Sequence, residues 1–402
     1  MRSTLTVLLE TTNSSSINVG DGLLNGVLFI DLKKAFDTID YGIILRNLTI
    51  YGVDESALRF FASFLCNRSQ KCSVNGVLSS ASKLACWVPQ WSIPGPLLFL
   101  IYINDLPNCL DISRAKLFSD DTNITIPGST FSNLEQATNS ELINLYSGLK
   151  VNKPSLNIAR TEFMAISTHQ KFLAENCSEI NIQLDSQLIC TAEHAKSLGL
   201  IIDYWLSWSY HIREQCRKIS STIGALKRIR SPISRSTAVQ ICNVNALIQP
   251  HFDYCSPLWD GLSYYLCEKL QKLQNWAARA ILQANRRAKW SLLLETVKWD
   301  QLSLRRRKQK AIMMSKSLNG LAPVYWHELF SERHTDYDLR DSLRKLYLLK
   351  PRAGYLKRSS GYSGALLSNF LPESIKTIRS LGQFKKEIDD ALETFHSHSA
   401  IF

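Results

Sequence analysis

Three aspartates stand where strands of a sheet would end. Asp31 follows the apolar run "GVLFI", and Asp120 and Asp121 stand side by side in "AKLFSDDTNITI", between two strand-like arms. Aspartate is common at strand ends and in turns, so each position alone has an ordinary structural explanation. Together, carboxylates at the ends of adjacent strands can hold two divalent cations about 3.5–4 Å apart, an arrangement that catalyses phosphoryl transfer. Mg²⁺ suits such hard oxygen ligands, and the cations would relieve the repulsion between Asp120 and Asp121.

The segments around these aspartates predict a mixture of strands and helices. Asn75-Gly76 is a hairpin-turn signal, and Pro94 is expected to begin a buried helix while holding Ile93 in an extended conformation. Apolar spacing predicts strands over 25–32, 161–167, 181–191 and 196–203, and helices over 33–52 and 134–150.

The positive charge of the chain is concentrated in one segment. Residues 206–330 contain 20 Lys+Arg and 7 Asp+Glu, a net charge of +13, whereas the whole chain has a net charge of +12. A basic face that meets a polyanion explains this concentration, and a solvated helical surface explains it equally well. The spacing of apolar residues becomes helical near residue 205. We therefore expect domains over 1–205, 206–320 and 321–402, the last of uncertain role.

The cysteines and the apolar runs of the sequence indicate the cellular compartment in which the protein is expected. The ten cysteines include no CxxC pair and no histidine at zinc-finger spacing, which is typical of thiols in a reducing compartment. The N-terminus lacks the apolar core of a signal peptide, and "PLLFLIYI" is far shorter than the roughly 20 residues that span a bilayer. We expect an intracellular protein, cytoplasmic or nuclear, that is neither secreted nor in a membrane.

Five motifs in order carry a family resemblance: "GVLFIDLKKAFDTID", "VPQWSIPGPLLFLIYINDLP", "KLFSDDTNI", "SLNIARTEFMAI" and "KSLGLIIDYWLSWSYHI". In order and spacing they resemble the reverse transcriptases of non-LTR, LINE-type (jockey-like) retrotransposons. The resemblance implies an α+β fold: a right-hand polymerase palm with a ferredoxin-like βαββ core and partial fingers, then a mostly helical thumb and C-terminal region. It also implies an RNA-directed DNA polymerase that transfers nucleotides from dNTPs to a primer 3′-OH by a two-metal mechanism.

The resemblance assigns roles residue by residue. Asp31, Asp120 and Asp121 match the catalytic aspartates that bind two Mg²⁺ ions, with Mn²⁺ able to substitute. Phe36 matches the ring that excludes the 2′-hydroxyl of a ribonucleotide, although core packing explains it as well. The nucleotide-binding loop is matched by Gln90, Ser92 and Gly95, and the primer grip by Leu198 and Gly199.

The resemblance implies that the basic segment, residues 206–330, is a thumb that holds an RNA template with its DNA primer. Phosphate contacts of this kind position the nucleic acid without reading its sequence. The candidate contacts with the nucleic-acid backbone are Arg213, Lys218, Lys227, Arg228 and Arg230.

Several positions depart from the family pattern. Trp91 stands where the family has a glycine, and Arg160 stands where it has a lysine that protonates the leaving pyrophosphate; arginine is a poor proton donor. The fingers sequence expected before Met1 is missing, which indicates an N-terminally truncated copy. We expect these departures to impair turnover. The alternative function is a catalytically dead retrotransposon remnant that at most binds nucleic acid through its basic thumb.

Overall fold

The computed structural model describes residues 3–84, 86–88, 92–174, 180–243, 247–333, 345–348 and 354–396. They form two compact units. The sheet unit is residues 23–197. The helical unit combines the described part of residues 1–22 with that of residues 198–402. No helix among the described residues is long and apolar enough to cross a membrane.

The α-helices lie at both ends of the chain and between the strands. In chain order they are α1 (Thr4–Gly20), α2 (Tyr41–Ile50), α3 (Glu55–Leu65), α4 (Pro94–Ile103), α5 (Phe131–Asn152), α6 (His169–Ala174), α7 (Ser209–Ile229), α8 (Arg235–Asn243), α9 (Gln249–Asp253), α10 (Tyr264–Leu282), α11 (Trp290–Val297), α12 (Leu302–Leu318), α13 (Val324–His327), α14 (Gly354–Arg358), α15 (Ser360–Phe370), α16 (Glu373–Lys376) and α17 (Leu381–His396).

The strands lie almost entirely in the sheet unit. They are β1 (Leu24–Ile30), β2 (Leu32–Lys33), β3 (Ser69–Gln70), β4 (Ser73–Val74), β5 (Val77–Leu78), β6 (Ser82–Lys83), β7 (Arg114–Phe118), β8 (Asp121–Gly128), β9 (Ser155–Leu156), β10 (Glu162–Ile166), β11 (Gln183–Leu184), β12 (Gln187–Leu188), β13 (Cys190–Thr191), β14 (His194–Ser197) and β15 (Leu200–Asp203).

The main sheet has five strands in the order β13-β10-β1-β8-β7. Strand β1 is central and antiparallel to both β10 and β8. All seven of its residues are buried, as expected for an apolar run covered on both faces. Helix α5 packs closely on this sheet, since a Cβ at Gly128 would lie 2.8 Å from the Cβ of Leu134. The chain therefore has the expected mixed α/β character, with β1 at its centre.

Two local predictions have different outcomes. Asn75 and Gly76 join β4 to β5 with φ values of 51° and 83°, so the hairpin prediction is confirmed. The extended conformation expected for Ile93 is wrong, because its φ of −61° and ψ of −45° are helical. Ser92 Oγ accepts a hydrogen bond from Gly95 N–H (3.1 Å), so the chain already turns into α4 before Pro94.

Helix α12 fastens the segment before α10 within the helical unit. Arg305 makes two hydrogen bonds to Asp253, of 2.5 and 2.6 Å. The next residue, Arg306, and Lys310 about one turn further along α12 both pair with Asp260, at 3.2 and 2.8 Å. Arg306 and Lys310 are each only 4% exposed, so Asp260 is the shared counter-charge of two buried cations. Their charges lower the pKa of Asp260 although burial acts to raise it.

Helix α1 packs with the C-terminal helices of the helical unit. It contacts α13, α14 and α15, and Asn13 Oδ1 accepts a hydrogen bond from Gly361 N–H (3.1 Å). The expected first domain was 1–205, whereas the compact unit around the sheet begins after Gly22 and ends at Ser197.

His211 makes the stability of the helical unit depend on pH. Its imidazole is buried, Nε2 has no hydrogen-bond partner among the described residues, and burial with Lys218 nearby lowers its pKa from 6.5 to about 4. Below pH 6.5, His211 is protonated in the unfolded chain but stays neutral in the folded chain. The free energy of unfolding therefore falls as the pH falls towards 4. The same two causes lower the pKa of His251, which acts in the same direction.

We expect the free energy of unfolding to be about 2 kcal/mol lower at pH 5 than at pH 7. Urea unfolding at the two pH values measures this difference. In His211→Gln most of the difference should disappear, and an unchanged difference in that variant would exclude His211 as its source.

Candidate active site

The pairing of β1 with β8 brings Asp31 and Asp121 together. Ile30, the last residue of β1, pairs with Thr122 of β8. Asp31 is one residue further along β1, and Asp121 is one residue earlier on β8, so the antiparallel register places them opposite each other. Both carboxylates therefore lie at the same edge of the sheet.

Asp120 lies in the tight turn of the β7–β8 hairpin. Phe118 pairs with Asp121, which leaves Ser119 and Asp120 as a two-residue connection. Ser119 has a φ of 57°, a left-handed conformation typical of such turns. The turn thus places two adjacent carboxylates beside the end of β1.

The three aspartates act on one another electrostatically. Burial, followed by the negative charges of Asp120 and Asp31, raises the pKa of Asp121, while Lys196 opposes the shift. Like charges at close range disfavour ionisation, and a bound cation removes that penalty. Across the parts of the chain that the structure describes, no group of three or more His, Cys, Asp or Glu residues is close enough to form a metal-binding cluster by itself.

Asn157 fixes the orientation of Asp31. Its Nδ2 donates to Asp31 Oδ2 (2.7 Å), and its backbone N–H donates to the Asp31 carbonyl (2.8 Å). The carbonyl of Asn157 in turn accepts hydrogen bonds from the N–H (2.9 Å) and Oγ1 (3.0 Å) of the buried Thr161. The motif "SLNIARTEFMAI" therefore supports the first aspartate from 126 residues away.

Phe36 lies close to Asp31 in sequence and is half-buried. Its ring centroid is 4.7 Å from that of Phe99, which is fully buried in α4. Its carbonyl accepts a hydrogen bond from Val88 N–H (3.0 Å). The ring is thus packed against the core and is also partly exposed. This position is compatible with both expected roles, the exclusion of a ribonucleotide 2′-hydroxyl and core packing.

The expected nucleotide-binding loop is described only in part. Ser92 is half-buried, and Gly95 is buried in the first turn of α4. Gln90 and Trp91 lie outside the described residues. Arg160 is exposed, one residue before the buried Thr161.

The expected primer grip, Leu198 and Gly199, is a tight turn at the start of the helical unit. Both residues have positive φ values, 46° and 82°. Tyr254 supports the turn: its hydroxyl donates to the Leu198 carbonyl (2.6 Å), and its ring would lie 3.3 Å from a Cβ at Gly199. Gly199 is therefore required both by its conformation and by the closeness of this ring.

Four of the five predicted phosphate-binding residues are exposed on α7: Arg213, Lys218, Lys227 and Arg228. Arg213 lies over the ring of Tyr210 at 5.2 Å, and Lys218 lies 3.8 Å from Glu214.

Arg230 requires a correction, because it is buried. Its guanidinium donates to the carbonyls of Ile281 (2.6 Å) and Ile233 (2.5 Å), which joins the end of α7 to the end of α10. It is therefore a structural residue, and we remove it from the nucleic-acid contacts.

Comparison with known proteins agrees with this geometry. The family described as reverse transcriptase (RNA-dependent DNA polymerase) matches residues 7–202. This match covers 196 of the 402 residues. The reverse transcriptase match includes Asp31, Asp120 and Asp121, together with Asn157.

Three Drosophila melanogaster proteins are similar to the reverse transcriptase region and beyond. A probable RNA-directed DNA polymerase from transposon X-element is 21% identical over 261 residues, 63% of this chain and 28% of that protein. The RNA-directed DNA polymerase from mobile element jockey is 22% identical over 228 residues, 54% of this chain and 24% of that protein. A probable RNA-directed DNA polymerase from transposon BS is 22% identical over 268 residues, 63% of this chain and 28% of that protein.

The resemblance to a LINE-type, jockey-like reverse transcriptase is thus confirmed. The chain spans about a quarter of the length of these relatives. Sequence reasoning missed Asn157, Lys196 and Tyr254 as individual residues, although Asn157 and Lys196 lie in motifs that carry the resemblance.

Proposed function

We propose that this chain is an RNA-directed DNA polymerase of a mobile element, which adds nucleotides from dNTPs to a primer 3′-OH. The observation that carries the proposal is the meeting of Asp31, Asp120 and Asp121 at one edge of the sheet, where burial and the charges of Asp120 and Asp31 raise the pKa of Asp121. The family of residues 7–202 supports the same reaction. Such an enzyme would work inside the cell, in the cytoplasm or the nucleus.

In this proposal the sheet unit is the polymerase palm. Its antiparallel β10-β1-β8-β7 strands with α5 packed against them support a ferredoxin-like core, and the segment with α2 and α3 would be the remnant of the fingers. The helices of 206–320 would form the thumb, and 321–402 a C-terminal region.

Reverse transcriptases generally use divalent metal ions, and the residues present fit them. Aspartate oxygens are hard ligands, and Mg²⁺ is commonly held by one or two carboxylates with water and substrate phosphates completing its shell. A site of that kind needs only one or two protein carboxylates at each ion, so it does not require a closed cluster of protein ligands. We propose that Asp31, Asp120 and Asp121 hold two Mg²⁺ ions, or Mn²⁺ in their place. When bound, the ions activate the primer hydroxyl and neutralise the leaving pyrophosphate.

The other residues of the site would position the substrates. Asn157 holds one oxygen of Asp31 and leaves the other available for a ligand. The ring of Phe36 is fixed by Phe99 and would stand against C2′ of the incoming nucleotide. Ser92 and Gly95, with Gln90 before them, would line the nucleotide, and the turn at Leu198 and Gly199 would hold the primer end.

Primer extension on poly(rA)/oligo(dT) with Mg²⁺ or Mn²⁺ tests the proposed activity. Asp120→Ala serves as the inactive control, because it removes one ligand from an exposed turn. Incorporation by the unmodified chain above this control supports the polymerase. Incorporation equal to the control overturns it.

The proposed thumb makes a separate prediction about salt. Three of the predicted contacts, Arg213, Lys227 and Arg228, fall within an arc of roughly 100° on α7, so they can follow one phosphate backbone, whereas Lys218 lies outside that arc. Each phosphate contact removed should flatten the slope of log K against log salt by about 0.9 for a duplex. In Arg213→Ala with Arg228→Ala, we expect a loss of roughly two such contacts in filter binding to a primer–template.

The matched control is Lys385→Ala with Lys386→Ala, which removes two exposed cations from α17. The control should keep the slope of the unmodified chain. Equal slopes in all three proteins would show that α7 does not contact the phosphates.

A further inference from the structure

A groove of about 720 Å³ lies at the C-terminal ends of α7 and α10, within the helical unit. Its lining contains four basic residues, one indole and no acidic residue. The lining residues are Lys227, Arg230, Trp276, Arg279, Ala280, Gln283, Ala284 and Arg286.

Trp276 is the unexpected member of this groove. It stands on α10 with an exposed fraction of 54%, although tryptophan is usually highly buried. The neighbouring Ala277 and Ala278 are fully buried, so α10 packs against the protein on one face and presents the indole on the other. Cations at helix C-termini have a structural explanation in the helix dipole, but an exposed indole among them does not.

The cations around Trp276 are available for an anion. Within the described part of the chain, Lys227 and Arg286 are exposed and have no acidic partner. Arg279 donates to the carbonyl of Ala288 (3.2 Å), while its Nε is buried without a hydrogen-bond partner among the described residues. The groove therefore carries two exposed cations without an acidic partner, next to an arginine that has one buried, unsatisfied donor.

The walls of the groove are fixed before any ligand arrives. Arg230 joins the ends of α7 and α10 through the carbonyl of Ile281. Gln283 ends α10 with a φ of 50°, and Ala284 N–H donates back to the Arg279 carbonyl (3.1 Å). A groove built in advance loses little conformational entropy on binding.

We propose that this groove binds an unpaired nucleotide of a single-stranded nucleic acid, with its base stacked on Trp276 and its phosphates on Lys227, Arg279 and Arg286. Aromatic side chains in a basic groove bind single strands of many sequences, since every base has a stacking face. The inference rests on the proposed function in so far as that function brings nucleic acid to the helical unit. It adds a site for unpaired nucleotides to the duplex contacts of α7.

Fluorescence anisotropy with short oligo(rU) and oligo(dT) probes tests the groove. For Trp276→Ala we expect an affinity about tenfold lower than that of the unmodified chain, with the same salt slope, because stacking releases no counterions. Trp276→Phe should retain most of the affinity. Lys227→Ala with Arg286→Ala should lower the affinity and flatten the slope as well. Comparison of the two probes shows whether RNA or DNA is preferred.

The matched control is Trp290→Ala, which removes an indole of similar exposure, 42%, that does not line the groove. It should bind both probes as the unmodified chain does. If Trp276→Ala equals this control while the unmodified chain still binds and extends a primer–template, the groove proposal is overturned and the polymerase proposal stands. If the unmodified chain binds the single strands but extends no primer, only the polymerase proposal fails.

Discussion

Asp121→Asn is expected to reduce metal-dependent primer extension by on the order of 1000-fold, since a bound metal ion contributes several kcal/mol to the transition state. Asparagine keeps the shape of the side chain but removes the charge that attracts the cation. It also removes the cost of burying a charge and the repulsion by Asp120 and Asp31, which together raise the pKa of Asp121. Incorporation of labelled dTTP on poly(rA)/oligo(dT) measures the loss.

Asp54→Asn is the matched control for this prediction. Asp54 caps α3 in the same unit by accepting a hydrogen bond from Ala57 N–H (3.0 Å), and asparagine caps a helix equally well. The control should extend the primer at the rate of the unmodified chain. Primer–template affinity should be similar in all three proteins, because the change is confined to the catalytic edge. A variant at Asp121 that extends as well as the control would remove this carboxylate from the mechanism.

Asp260→Asn is expected to destabilise the helical unit by about 3–5 kcal/mol, because Arg306 and Lys310 would remain buried without their shared counter-charge. Lys310 would keep only its hydrogen bond to Ser363 Oγ (2.9 Å). Urea unfolding at neutral pH measures the difference.

Glu214→Gln is the appropriate comparison. Glu214 also pairs with two cations of one helix, Arg217 at 2.9 Å and Lys218 at 3.8 Å, but all three side chains are largely or partly exposed. Exposed pairs of this kind contribute about 0–1 kcal/mol. Equal losses in the two variants would mean that the Asp260 cluster is hydrated rather than buried.

Local sequence patterns predicted the elements that bear the aspartates. The apolar run before Asp31 is β1, and Asn75-Gly76 forms the expected turn, since both depend on residues that are neighbours in sequence. The placement of Asp120-Asp121 between two strand-like arms was likewise visible, and β7 and β8 are those arms.

Features that depend on distant contacts were not predictable in this way. The hydrogen bond from Asn157 to Asp31 joins residues 126 positions apart, so it can form only after β1 has paired with its neighbouring strands. Arg230 resembles Lys227 and Arg228 in sequence, but it lies just beyond the end of α7, where the end of α10 buries it. A residue before proline usually prefers an extended conformation, but Ile93 is helical because the preceding Ser92 already begins the helical turn.

The packing of α1 has a consequence for the order in which the protein can assemble. Asn13 binds Gly361, 348 positions later, so α1 must wait for partners that are synthesised well after it. The sheet unit between them is continuous in sequence and has all its strands once residue 197 is made. Domains generally fold as units during synthesis. The sheet unit can therefore form before α1 has its partners.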